Sequence, residues 1–179
     1  VTVAEVRDEM ACRAWVSYAV TRHWQREWET CEWRPDGYGL LDVGGIETPF
    51  FLEIGGTAAA PSKLDPEKWA TKVEALFRYA ESGQWQASYT EFPRWLIVLS
   101  VPPGSAAWHR RVELIHELIC TQRSPFKRDD GVQVFATSRE TWEKHGALMP
   151  IWTNLVHGIY DEPGHAFEGV GALGVELDL

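Results

Sequence analysis

Apolar positions in this chain change period several times, and each change predicts an element. Val3, Val6, Met10, Ala14, Ser17 and Trp24 fall near one face at helical spacing, and Thr2 with Glu5 forms a capping box, so a first helix is expected over about 2–23. Glu27 to Trp33 alternates loosely through Trp28, Thr30 or Cys31 and Trp33, and reads as a strand. A second strand follows over 37–43, a turn at Gly44-Gly45, and a third strand over 48–54. Asp65-Pro66 starts a helix with a capping aspartate and proline at its first position; Trp69, Val73, Leu76, Phe77 and Ala80 form its buried stripe, and Gly83 stops it. Trp95 to Val101 is an almost unbroken apolar run, as in a strand covered on both faces. A helix from Ser105 to about Arg123, a strand over 131–136 and a short helix from Ser138 to about Lys144 come next. The glycine- and proline-rich remainder reads as loops with a last edge element.

The order is thus helix, three strands, helix, strand, helix, strand. Three consecutive strands predict an antiparallel meander. The later helix–strand units predict crossovers that add parallel neighbours. The fold class is α/β: a mixed β-sheet with helices on both faces.

Composition narrows the classes. With 179 residues, 45% of them hydrophobic and ten tryptophans, the chain reads as one packed domain over 1–179. No apolar run approaches the roughly 20 residues of a membrane span, and no secretory signal opens the sequence. The chain begins at Val1 inside a helical pattern, which reads as a domain cut from a longer protein. Three cysteines, Cys12, Cys31 and Cys120, with no CxxC spacing point to reduced, mostly buried thiols in a cytoplasmic protein rather than a disulfide framework or zinc site. The histidines show no HxH or HExxH spacing, and no Walker-type phosphate loop is present. A net charge of −9 works against tight duplex binding by this domain alone. Basic residues nevertheless cluster at Arg22 to Arg26, His109 to Arg111 and Arg123 to Arg128; they read either as solvated faces or as a local strip for nucleic acid.

Two carboxylates carry the candidate chemistry. Asp36 lies in Arg34-Pro35-Asp36-Gly37, at the start of the second strand. Glu53 interrupts the apolar run of the third strand. If those strands pair, both acids reach one edge of the sheet, which is what Mg²⁺ needs when it binds through carboxylates plus substrate phosphate oxygens. Asp36 reads equally as a turn residue. A carboxylate at Glu53 needs a metal or a helix lysine as partner. Lys72 lies in a row with Lys68 and Tyr79 beside the helix's core stripe; it either reaches back to the carboxylates or snorkels along the core edge. Glu32, Glu5 and Glu9 are lesser candidates for a further ligand. Most tryptophans read as core, while Trp85, in its polar loop, is a candidate for stacking on a base.

Pro-Asp at the second strand and the glutamate on the third, in this order of elements, resemble the PD-(D/E)XK restriction-endonuclease-like superfamily and its αβββαβ core. Glu53-Ile54-Gly55-Gly56-Thr57 leads into the helix bearing Lys72 and Tyr79. With Val134-Phe135-Ala136-Thr137 and Pro150-Ile151-Trp152, this is similar to the replication-relaxation family of bacterial plasmids and integrative elements, over roughly residues 2–155. The resemblance implies an N-terminal winged-helix region ahead of this domain, DNA as the polymer, replication or mobilisation proteins as partners, and no membrane. It implies that Asp36 and Glu53 hold Mg²⁺ or Mn²⁺ for phosphodiester cleavage by a DNA endonuclease or nickase, with Lys72 stabilising charge. The sequence departs from the superfamily at Gly55, where an active member carries lysine; the family's usual Glu-x-Asp is broken too. With glycine there the isolated domain is expected to cleave DNA weakly or not at all, and a lysine returned to position 55 is expected to raise cleavage. The alternative is a catalytically inactive, nuclease-derived module for DNA binding or protein assembly; a purely structural partner domain is a third reading.

Overall fold

A computed structural model describes residues 14–17, 33–43, 46–55, 65–123, 131–146 and 151–156. Its strands are β1 (Ala14–Ser17), β2 (Gly37–Val43), β3 (Ile46–Gly55), β4 (Arg94–Leu99), β5 (Val134–Ser138) and β6 (Thr153–Asn154), and its helices are α1 (Pro66–Ser82), α2 (Ala106–Gln122) and α3 (Arg139–His145). The six strands form one sheet in sequential order. β1, β2 and β3 pair antiparallel, β3–β4 and β4–β5 parallel, and β6 closes the far edge antiparallel to β5. The molecule is therefore α/β with a mixed sheet, built from a meander followed by helical crossovers.

Two sequence expectations change. Ala14–Ser17 lies in the stretch assigned to a first helix, yet it is an edge strand with Ala14 opposite Leu40 and Ser17 opposite Gly37. An aromatic and a β-branched residue in a four-residue run suit a strand once a neighbour is available, and pairing overrides the helical period. The rest of that helix, and residues 27–32 of the strand expected over 27–33, lie outside the described residues. Trp33 itself belongs to no strand. The second change concerns the layers. α1 and α2 both pack into one cluster with Ile97, Leu99 and Ala136, so the two long helices share a face instead of covering both. Two crossovers of one hand, stepping the same way across the sheet, put their helices on the same side.

Local chemistry sets the boundaries of α1. The Lys68 main-chain N–H donates to Asp65 Oδ1 at 3.1 Å, Pro66 occupies the first turn, and Gly83 ends the helix at φ 67°. Ser105 caps α2 by accepting from Trp108 N at 3.1 Å. Every residue of β4 and β5 is buried, as the near-continuous apolar run of a central parallel strand requires. Phe50, Leu52, Leu96 and Val98, on the sheet face away from α1, are buried as completely. No described helix is long and apolar enough to cross a membrane.

The core centres on Phe51. Its ring meets Trp33 at 5.5 Å, Tyr79 at 6.2 Å and Phe92 at 6.3 Å, in edge-on geometry. Trp33 in turn meets Trp95 at 5.2 Å. This ring cluster ties the segment entering β2 to β3, β4 and α1, and so fixes the backbone on which Asp36 and Glu53 sit. Phe51→Ala is expected to cost about 3–5 kcal/mol, as measured by urea unfolding. A loss below about 1 kcal/mol would show that the cluster does not organise the sheet.

Candidate functional site

Asp36 and Glu53 come together because β2 and β3 are antiparallel neighbours. Gly37 pairs with Leu52, and continuing that register by one residue sets Asp36 opposite Glu53. The Asp36 main-chain N–H donates to Leu52 O at 2.9 Å, which extends the ladder to that step. Asp36 Oδ2 accepts from Ile54 N at 2.9 Å. Asp36 is thus a bend residue and a site residue together: one oxygen pins β3 beside Glu53, and Oδ1 accepts no hydrogen bond among the described residues.

Glu53 lies inside β3 at 4% exposure, on the face it shares with Phe51 and Gly55 and turned toward α1. Lys72 reaches from α1 and its ammonium forms an ion pair with Glu53 Oε2. Lys72 is the less buried partner, with 20% of its side chain exposed. Burial pushes the Glu53 carboxyl up to about 7; Lys72 pulls it back, Asp36 pushes it further up, and Lys68 pulls it down. Two acids and two lysines therefore act on one another across the β2–β3–α1 junction.

Gly55 explains why the cation arrives from a helix. A Cβ at this position would stand 2.9 Å from Leu99 Cδ2 and 3.2 Å from Trp69 Cζ2. The Trp69 indole occupies the space that a strand-borne lysine stem would need. A lysine at position 55 would press on Leu99 and Trp69, and both side chains would have to shift to admit it.

Other sequence candidates fall elsewhere. Tyr79, placed in a row with Lys68 and Lys72, is fully buried in the ring cluster and away from the carboxylates. Trp85 is half-buried; its Nε1–H donates to Ala80 O at 3.0 Å and its ring meets Phe92 at 5.6 Å, so it latches the end of α1 rather than offering a stacking face. Cys120 is exposed on α2, contrary to the expectation of buried thiols, because its position faces away from the Ile115–Ile119 stripe. Arg111 is buried while His109 and Arg110 are exposed, which splits that basic cluster. Glu5, Glu9, Glu32, Cys12, Cys31 and the basic clusters at 22–26 and 124–128 lie outside the described residues. The reach of Lys68 toward Glu53 was not assigned from sequence, although its i, i+4 spacing to Lys72 is the signal for it.

Among the described residues, no three His, Cys, Asp or Glu side chains group together as metal ligands. The pair Asp36–Glu53 suits a hard cation that completes its shell with water and phosphate oxygens, the usual habit of Mg²⁺. A soft or tightly chelated metal would need more donors than this pair supplies.

The raised Glu53 value gives a pH dependence with a definite sign. The folded chain keeps this proton up to about 7, while the unfolded chain releases it near 4.5. Stability from this group is fully present below about 4.5 and is lost as pH rises through about 7. Relative to Glu53→Gln, the wild type is expected to lose on the order of 3 kcal/mol across that window, read from paired urea titrations. Parallel curves for the two proteins would contradict the assignment. Also, Gly55→Lys is expected to destabilise by about 1–3 kcal/mol in the same titrations without raising any cleavage, and an unchanged midpoint would show that Trp69 yields. In comparison with known proteins, no family model, curated protein or solved structure matches this chain.

Proposed function

We propose that this chain is a PD-(D/E)XK-type domain that cleaves DNA phosphodiesters, in the setting of plasmid or mobile-element replication or mobilisation. The observation that carries the reading is the convergence of Asp36, Glu53 and Lys72, contributed by two adjacent antiparallel strands and the helix that follows them. The run β2–β3–α1–β4, with β3 and β4 parallel, supports a restriction-endonuclease-like core. A replication-relaxation-type protein would supply a winged-helix region to help an acidic domain engage DNA.

In this reading Asp36 Oδ1 and the Glu53 carboxylate would hold Mg²⁺ or Mn²⁺, which when bound would supply water activation and charge neutralisation at the phosphodiester. Asp36 Oδ2 stays on Ile54 N and keeps the two acids in register. Lys72 would then release Glu53 Oε2 and offer its ammonium to the non-bridging phosphate oxygens, the electrostatic task that a strand lysine performs elsewhere in the superfamily.

A second reading, a nuclease-derived module that binds DNA or assembles with other proteins without cleaving, draws support from one feature. Lys72 already neutralises Glu53, so a cation must displace it. Supercoiled plasmid incubated with Mn²⁺ separates the two. Under the first reading the wild type nicks, Asp36→Ala and Glu53→Gln do not, and Lys72→Ala loses about 10²–10³ in rate while remaining folded by circular dichroism. Plasmid left intact by the wild type, or nicking that survives all three substitutions, would move the function to the second reading.

A further inference from the structure

Lys68 is the cation of this junction with no fixed partner. Its main-chain N–H is spent on the Asp65 cap, but its side chain is exposed and forms no ion pair among the described residues. The rotation of α1 about its axis is pinned at two points, by the Trp69 ring against Gly55 and by Lys72 on Glu53. Lys68 precedes Lys72 by four residues, so the two positions lie on one helix face, with their backbones about 6 Å apart along the axis. The junction thus presents one lysine committed to the carboxylates and a second, solvent-facing lysine one turn along the helix. The spacing is comparable to that of consecutive phosphates on a nucleic-acid strand.

We propose that Lys68 binds the phosphate next to the scissile one, so that the site takes a polynucleotide strand rather than an isolated phosphodiester. The inference rests on the nuclease reading and adds the substrate class to it. Lys68 is a binding and positioning residue: it sets where the strand lies, and Lys72 acts at the reacting phosphate. An exposed lysine that does only this contributes through counterion release, which depends on salt and not on base sequence.

The test is binding of the full chain to a short DNA duplex, followed by fluorescence anisotropy across a salt series in metal-free buffer. Lys68→Ala is expected to lower the slope of log affinity against log salt by about 0.9. Lys68→Arg, which keeps the charge, restores it. Lys144→Ala removes an exposed charge on α3 and leaves the slope unchanged. Equal slopes for wild type and Lys68→Ala, or an equal change in Lys144→Ala, would overturn the assignment while leaving the nuclease reading intact. A wild type that binds no duplex at any salt would likewise overturn the Lys68 assignment, while the plasmid-nicking assay decides the nuclease reading separately.

Discussion

A carboxylate buried inside a central strand is the constraint on which the site depends. Leaving Glu53 charged and alone in that position would cost several kcal/mol. One contact answers it, and two others hold the geometry around it. Lys72 brings a compensating charge from α1. Asp36 fixes the neighbouring backbone through Ile54 N. Trp69 seals the strand end at Gly55. The arrangement lowers the cost without removing it, since the carboxyl still holds its proton up to about 7. A core built for stability alone would place an apolar residue at position 53, and departures of this kind concentrate at functional sites.

The sheet topology makes the arrangement possible. An antiparallel β2–β3 pair brings the start of one strand to the end of the next, which joins Asp36 and Glu53 across a single ladder step. The switch to parallel pairing at β4 requires a crossover, and α1 is that crossover. Lys68, Trp69 and Lys72 then lie over the end of β3. The aromatic cluster around Phe51 and Trp33 holds the same elements from the side away from the charges, so packing and electrostatics share one scaffold.

The opposing charges have a chemical consequence. Lys72 offsets Glu53, and the Glu53 carboxyl holds its proton up to about 7, so the junction is not a deep cation trap. Under the proposed function a hard cation would gain the two carboxylates only with Lys72 moved aside, and a phosphate would take up that ammonium.

Much of the fold was legible in the sequence. Gly44-Gly45 between the segments 37–43 and 48–54 marked the hairpin, Asp65-Pro66 and Gly83 marked α1, and the bare apolar run at Trp95 marked a central strand. Periodicity and capping are local, so a sequence carries them directly. Asp36, Glu53 and Lys72 could be singled out for the same reason: a carboxylate amid apolar strand residues, and a lysine beside a core stripe, are anomalies of local pattern. The strand at Ala14–Ser17 was not legible, because its identity comes from pairing with β2. Nor was the common face of α1 and α2, which follows from the direction in which the chain crosses the sheet. The tertiary structure alone decided that Asp36 holds Ile54 while standing opposite Glu53, that Tyr79 belongs to the core, and that a side chain at Gly55 would meet Leu99 and Trp69. That last outcome depends on where an indole from α1 comes to rest against Leu99, a contact between residues far apart in the chain that no local pattern encodes.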